Sequence, residues 1–382
     1  MNKIRIFMVA GEESGDLHGS LLIQEIKKLS PGVKIVGMGG KKMQSAGMEP
    51  ILELDEKISI VGFQEVLQNF RRLRMVYSTL ARYLRENEYD VFIPIDYPGM
   101  NLRLSRVAKE KNLKVIYYIS PQVWAWGEKR ICWIKKYVDK IIVILPFERE
   151  FYEKRGIEAC YVGHPLLDVV KPELREKEFR EVHGLGEKPI IGLLPGSRES
   201  EVRRHIPLLL DLVSARAHRF SFALLKAKSL DENIFCRFTI PPQVKIISEH
   251  PYSLMKYSYI LVVTSGTATL ESAILGTPMI IIYQPSIITH LIVRTFLHIP
   301  HIGLVNLVAG ETIIPELVSP IINKEAIIRE VDRLSQKEEN KRMRKSLKKV
   351  RDKLGESGAA RRAAEIIIQF LREREVNFRT DV

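Results

Sequence analysis

The chain is poor in cysteine, with only Cys132, Cys160 and Cys236 among 382 residues. They are odd in number, far apart and without zinc or redox spacing. That excludes a disulfide framework or a cysteine-built metal site and predicts reduced, buried thiols in a reducing cytosol. No Asp-x-Asp pair occurs and the nine histidines lack metal-ligand spacing, so neither a metal nor a cofactor is expected. A clean apolar run of membrane-spanning length is also missing. The longest uncharged stretch, residues 272–293, is interrupted by Gly276, Pro278, Gln284, Pro285 and His290, and reads as a helix end, a strand and a loop. At the start, residues 4–10 are apolar but lead straight into a Gly-rich turn with no cleavage-type ending, so they read as a first β-strand and not as a secretion signal.

What is present is a globular composition, 46% hydrophobic and 27% charged, on a chain long enough for two domains. The net charge of +13 attracts nucleic acid, phosphorylated metabolites and anionic membranes alike. Residues 337–374 hold 13 Lys and Arg against six acidic residues, so over half of the excess lies near the C-terminus, largely as solvated helical face. No zinc finger, RNP-type strand or helix-turn-helix accompanies the charge, which leaves nucleic acid unfavoured and a phosphate or membrane partner preferred.

Short β-branched runs alternate with amphipathic segments, the pattern of parallel sheets covered by helices. The first series of strands is 4–10, 33–37, 91–95, 114–118 and 141–145, with helices at 17–29 and 102–111 between them. A second series follows Gly163-His164-Pro165, at 189–194, 220–225, 244–247, 259–263 and 278–283. Each series resembles a Rossmann-like half, with a boundary near residues 165–188. The basic helical tail is broken at Gly355-Glu356-Ser357-Gly358 and resumes as an apolar-faced helix.

Five segments carry chemistry-bearing residues. The turn Gly11-Glu12-Glu13-Ser14-Gly15-Asp16 opens a helix, where small residues and free N–H groups suit an anion; a tight turn capped by Ser14 or Asp16 reads equally well. Asp96, at the carboxyl end of strand 91–95, is either a turn residue or a general base beside an acceptor hydroxyl. Trp124 and Trp126 flank Ala125 as a wall for a sugar or acyl chain, or as core packing. In Gly196-Ser197-Arg198 the Arg198 fork at a helix start suits a diphosphate, against the plainer reading of a surface arginine beside Glu199 and Glu201. Ser265, Gly266, Thr267 and Thr269 crowd small and hydroxylated groups at another helix start with Glu271 one turn in, which favours a nucleotide over ordinary capping. With no metal motif, diphosphate departure would rest on Arg198 and helix dipoles.

Residues 11–19, 96–101, 120–126, 163–165, 194–198, 265–271 and 304–307 stand in the order and context of the lipid A disaccharide synthase family, which this chain resembles from about residue 4 to about residue 318. The resemblance implies a GT-B α/β fold, two Rossmann-like domains with parallel sheets facing an interdomain cleft. Residues 1–165 would serve acceptor and membrane and residues 166–355 would bind the UDP-sugar; nothing is carried over to the tail after residue 320, whose helix 359–373 is expected on its own apolar face to pack back on the first domain. It implies an inverting, metal-independent hexosyltransferase. The enzyme would move 2,3-diacylglucosamine from UDP-diacylglucosamine to the 6-hydroxyl of 2,3-diacylglucosamine 1-phosphate. The products would be the β-1,6 disaccharide 1-phosphate and UDP.

By position Asp96 matches the family's candidate base and Arg198 its essential arginine. Ser265, Gly266, Thr267 and Glu271 match its UDP-binding turn, and Asn306 its asparagine near the donor; Ser14, Gly15, Ser197 and Thr269 complete the expected binding set. Gly99 departs from members that carry a second aspartate, so no role passes to it. A cytoplasmic enzyme peripheral on the anionic inner-membrane surface follows, without nucleic acid, and a homodimer is compatible with it. Ile58, Ile60, Val61, Phe63, Val66, Leu67 and Phe70, followed by Arg71, Arg72 and Arg74, have the make-up of an interfacial patch or of a core helix with arginines outside. The rival readings are a UDP-sugar epimerase on the same fold and a nucleic-acid-binding protein motivated by charge alone.

Overall fold

The computed structural model describes residues 4–53, 70–124, 129–231, 233–286 and 301–380. By its internal contacts the chain divides into two compact units, Met1–Pro165 with Gly355–Val382, and Leu166–Leu354.

The first unit is built on seven parallel strands, β1 (Arg5–Ala10), β2 (Lys34–Gly39), β3 (Glu49–Glu53), β4 (Val91–Ile95), β5 (Lys114–Tyr118), β6 (Lys140–Val143) and β7 (Ala159–Tyr161). Their spatial order is β3-β2-β1-β4-β5-β6-β7. Val91–Ile95 is buried at every position, as a strand covered by helices on both faces must be. Fully burying side chains such as Ile6, Phe7, Phe92 and Val115 stabilises the unit by about 1.5–3 kcal/mol each. The second unit has six parallel strands, β8 (Ile190–Leu194), β9 (Ser221–Leu225), β10 (Val244–Ile247), β11 (Ile260–Thr264), β12 (Met279–Tyr283) and β13 (Glu316–Val318). Their order is β10-β9-β8-β11-β12-β13.

Both sheets reverse their strand order once. In the first the reversal falls between β1 and β4, where Ala10 pairs with Ile95; in the second it falls between β8 and β11, where Leu194 lies beside Val263. Loops leaving adjacent strands at such a point diverge to opposite faces and leave a crevice at the carboxyl ends, the usual ligand site of open α/β sheets.

Strands β3, β7 and β13 have no counterpart in the sequence reading; each lies at a sheet edge, β3 carrying Glu49, Pro50 and Glu53 and the other two having three residues each. The first helix runs Glu13–Leu29 with Glu12 as its N-cap residue, so Ser14 and Asp16 sit inside the first turn instead of capping it. The Asp16 carboxylate accepts from the N–H groups of Lys42 (3.2 Å) and Met43 (3.0 Å), at the start of helix Lys41–Ser45. Strand β2 runs to Gly39, two residues past the strand expected at 33–37. The cysteines are free but not buried: Cys132 and Cys236 are exposed and Cys160 is intermediate, their positions falling on the solvent side of short elements.

The tail breaks after helix Lys337–Lys353 and resumes as helix Ala359–Thr380, which packs on helix Glu13–Leu29 in the first unit. The Arg362 guanidinium donates to Val162 O at 2.9 and 2.7 Å and to Glu356 O and Ser357 O. Of residues 272–293, helix Thr267–Leu275 and β12 account for the first part, and residues 287–300 lie outside the described residues. Ile58, Ile60, Val61, Phe63, Val66, Leu67 and the Phe70 side chain lie outside them too; Arg71 and Arg74 are exposed on helix Phe70–Glu86.

Candidate active site

In the first unit the backbone at the carboxyl ends of β4 and β5 is strained. Asp96, Tyr97 and Ile119 adopt left-handed conformations, with φ of 43°, 50° and 58°. Each such non-glycine residue costs on the order of 1–3 kcal/mol and persists only where its surroundings over-determine it. Here they do. The Asp96 carbonyl accepts from Tyr117 Oη at 2.6 Å and Asn101 Nδ2 at 2.8 Å, and Asn101, fully buried, also reaches Ile95 O and Val9 O. The Asp96 N–H reaches back to Tyr118 O and Ile119 O. Gly11, just past β1, faces the Tyr97 ring so closely that a Cβ there would lie 2.3 Å from Tyr97 Cδ1.

The half-buried Asp96 carboxyl is pushed up to about 7, by burial first and then by the negative charge of Glu12, with Glu148 adding to it and the Tyr97 N–H pulling the other way. Glu148 is itself buried and pushed up to about 7 by that burial, against four donors. Ser120 Oγ (3.1 Å) and Trp124 Nε1 (3.2 Å) donate to one oxygen, Ile144 N (3.3 Å) and Leu145 N (3.0 Å) to the other. Trp124 is held edge-on to Phe147, 5.0 Å between centroids, while Ala125 and Trp126 lie outside the described residues. Ser14 is partly exposed at the start of helix Glu13–Leu29, and Gly15 is buried against Ala10. His18 and His164 are both buried, ring centroids 6.2 Å apart. Burial holds them down to about 4 and about 3, aided by Lys42 at His18 and by His18 at His164, so both are neutral near pH 7.

The second unit presents two helix starts from neighbouring strands. After β8, Gly196 turns with φ 121°, its Cα side closed by Glu201, and Arg198 is the N-cap residue of helix Glu199–Arg216. Ser197 is exposed; the Arg198 guanidinium pairs with Glu201 Oε1 at 3.3 Å, and Glu201 also accepts from Ser197 N at 3.2 Å. After β11, Ser265, Gly266 and Thr267 line the exposed start of helix Thr267–Leu275, Ser265 Oγ donating to Ile302 O at 3.4 Å. Glu271 accepts from Tyr252 Oη at 3.4 Å and remains partly exposed. Two helix N-termini from neighbouring strands, one flanked by an arginine, bring free N–H groups and positive charge together, a combination that suits an anion.

Two expected binding residues sit inside instead. Thr269 is fully buried and its hydroxyl donates to Gly266 O at 2.8 Å, so it shapes the turn. Asn306, also fully buried, donates to Ile314 O (2.9 Å) and Glu316 Oε1 (2.7 Å) and accepts from Ile313 N and Ile314 N. That exhausts an amide's hydrogen-bonding capacity. Its work is to hold the loop before β13. Glu148 and His205 were not legible as site residues: their neighbours in sequence show only ordinary capping and helix patterning. Among the described residues no group of His, Cys, Asp and Glu has the arrangement of a metal site.

Two sheets of this kind, each with loops gathered at its reversal, define the GT-B architecture. It is shared with the calicheamicin glycosyltransferase CalG4, at TM-score 0.64 and 16% identity over 97% of this chain and 99% of that one. A putative UDP-N-acetylglucosamine 2-epimerase from Listeria monocytogenes also shares it, at TM-score 0.68 and 13% identity over 98% of both chains. Identity that low shows the fold alone. The family model described as Lipid-A-disaccharide synthetase matches residues 6–370, and the chain belongs to that family of glycosyltransferases. It is 39% identical to the lipid-A-disaccharide synthase of Geobacter metallireducens over 374 residues, 96% of this chain and 97% of that protein. To that of Syntrophus aciditrophicus it is 40% identical over 382 residues, 98% of this chain and 99% of that protein.

Proposed function

We propose that the chain transfers 2,3-diacylglucosamine from UDP to the 6-hydroxyl of 2,3-diacylglucosamine 1-phosphate, with the acceptor handled by residues 1–165 and the UDP-sugar by residues 166–355. The observation that carries the assignment of chemistry is Asp96: a carboxylate on a strained strand end at the sheet reversal, with proton affinity close to neutrality. A base works best when its pKa lies near the operating pH. Asp96 accepts the proton of the 6-hydroxyl as that oxygen attacks the anomeric carbon; the bond from this carbon to the UDP oxygen breaks, and the configuration inverts to β. Asn101 and Tyr117 hold the Asp96 backbone carbonyl, the Tyr97 N–H holds the carboxylate, and Ser120, Trp124 and Glu148 shape the wall beside it.

On the donor side, the N–H groups opening helices Glu199–Arg216 and Thr267–Leu275 receive the diphosphate together with Ser197, Ser265, Gly266 and Thr267. Arg198 exchanges its contact with Glu201 for a phosphate oxygen and supports the charge that develops on departing UDP. Glu271 accepts from ribose hydroxyls. Ser14 and Gly15 contribute N–H groups beside the acceptor. Thr269 and Asn306 act from behind, through the turns they hold. The neutral, buried His18 is the weaker candidate base. An epimerase has only the shared fold in its favour, while the relatives alike in sequence are named as synthases.

Among the described residues no helix is long and apolar enough to cross a membrane. A charge of +13, with Arg71, Arg74, Met75 and Tyr83 exposed on one helix, supports peripheral attachment to the anionic cytoplasmic face of the inner membrane. The function is tested by mixing purified chain with UDP-diacylglucosamine. UDP is released only when the acylated glucosamine 1-phosphate is added; release without acceptor, or interconversion of the donor sugar, would refute a transferase.

A further inference from the structure

His205 is completely buried in the second turn of helix Glu199–Arg216, where an apolar residue would satisfy packing. Its ring instead bonds to three separate strand ends. Nε2 lies 3.1 Å from the N–H of Gln284, just past β12, and must accept there. Nδ1 therefore carries the hydrogen. It lies 2.8 Å from Pro195 O, just past β8, and 3.0 Å from Thr264 Oγ1, the last residue of β11. Burial pushes this imidazole below its usual range, the Pro195 carbonyl acting against that and Arg204 with it, which is consistent with one neutral tautomer. Two of these anchor points sit immediately before the loops that open the helix starts: Pro195 precedes Gly196-Ser197-Arg198, and Thr264 precedes Ser265-Gly266-Thr267.

We propose that His205 is a positioning residue for the donor: it ties the ends of β8, β11 and β12 together so that the Ser197–Arg198 and Ser265–Thr267 loops meet the UDP diphosphate in a fixed spacing. The inference rests on the donor-site reading above. An isosteric apolar side chain would fill the space yet leave Pro195 O and Gln284 N without partners inside the protein, and the two loops would shift apart to find new ones. Because Pro195 and Thr264 open the two donor loops and none of the three anchors belongs to the first unit, the consequence falls on the donor alone.

The test uses the full chain with His205→Leu, which fills the space, and His205→Asn, whose amide N–H takes the place of Nδ1–H toward Pro195. UDP affinity is read by titration calorimetry, and donor KM, acceptor KM and kcat by UDP release. His205→Leu should weaken UDP binding and raise donor KM about tenfold with acceptor KM unchanged, and His205→Asn should recover to within about threefold of the parent while still showing a donor-only rise. UDP binding by His205→Leu equal to the parent's, or equal losses on donor and acceptor KM, would overturn the proposal. So would an asparagine variant no better than the leucine. If His205→Leu does not fold, His205→Asn decides alone: a rise confined to donor KM supports the proposal, and an equal or absent change overturns it. Arg198→Ala runs alongside. If it binds UDP like the parent, the donor site itself is wrong and His205 falls with it. If it loses UDP and His205→Leu does not, only the His205 proposal fails.

Discussion

Asp96 brings backbone strain, burial and like charge to one carboxylate, and each of these leaves a measurable trace. Its folded-state proton affinity is raised from the ordinary 3.8 to about 7, so ionising it destabilises the fold progressively as pH climbs from about 4 through 7. Asp96→Asn removes that ionisation. The variant should melt higher than the parent at pH 8 and with little difference at pH 4. Turnover should fall by roughly two to four orders of magnitude while UDP affinity holds, because a general base contributes on that scale and the donor residues are untouched. In the parent, kcat/KM should fall as pH drops through about 7, as the base becomes protonated. Retained turnover in Asp96→Asn, with loss in Glu13→Gln or His18→Asn, would move the base to the first turns of helix Glu13–Leu29. Position after a strand marked Asp96 in the sequence as either a turn residue or a base, and the role of base came with the family resemblance. Glu148 was not legible, because its partners Ser120 and Trp124 lie 28 and 24 residues earlier and only the packed sheet brings them to it.

At the scale of elements, the Gly11 turn and the Asp96–Tyr97 turn are two halves of one structure. They leave adjacent strands, and the Tyr97 ring occupies the space that a side chain at position 11 would need. Gly11→Ala should therefore push the ring aside and disturb the carboxylate held by the same turn. We expect a loss of about 1–3 kcal/mol in stability from overpacking and a fall in turnover of about tenfold or more, with UDP affinity unchanged. Parent-like turnover in the folded variant would separate the two turns. The strands with apolar runs, β1, β4, β5, β8 and β11 among them, were legible because burial on both faces demands continuous hydrophobicity. Three of the four edge strands answer to a different rule. β3 carries Glu49, Pro50 and Glu53, and β7 and β13 have three residues each; they are strands because a neighbour offers its free N–H and C=O groups.

At the scale of the molecule, the C-terminal helix closes the first unit from the far end of the chain. Ala359, Ala363, Ala364, Ile367, Ile368 and Leu371 are buried, and Leu22, Ile23 and Ile26 lie fully buried in helix Glu13–Leu29, on which this helix packs. Ending the chain at Leu354 would expose the three large side chains' partners and remove on the order of 5 kcal/mol of burial. The truncated protein should aggregate or melt more than about 10 °C lower. An unchanged melting curve would refute the dependence. The excess charge makes a separate claim: sedimentation with vesicles rich in anionic lipid should be strong at low salt and weak at high salt, where the Debye length shortens, and absent with zwitterionic vesicles. Salt-independent binding to both would point to apolar insertion instead.

Periodicity, strand-to-helix turns and the residues that punctuate them are local properties. From them alone the sequence determined the two parallel-sheet series, a boundary within the broad stretch 165–188, and the loops after β1, β4, β8 and β11 that carry chemistry-bearing residues. Tertiary structure decided which members of those loops remain open to a ligand and which turn inward. Ser197, Ser265 and Gly266 keep solvent access, whereas Thr269 and Asn306 spend their hydrogen bonds on the protein itself. It also decided the electrostatics. A carboxyl or imidazole has an ordinary proton affinity in an extended chain; only folding strips water from Asp96, Glu148, His164 and His205 and sets charges and dipoles beside them, and desolvation is a property of the assembled surroundings, not of the residue.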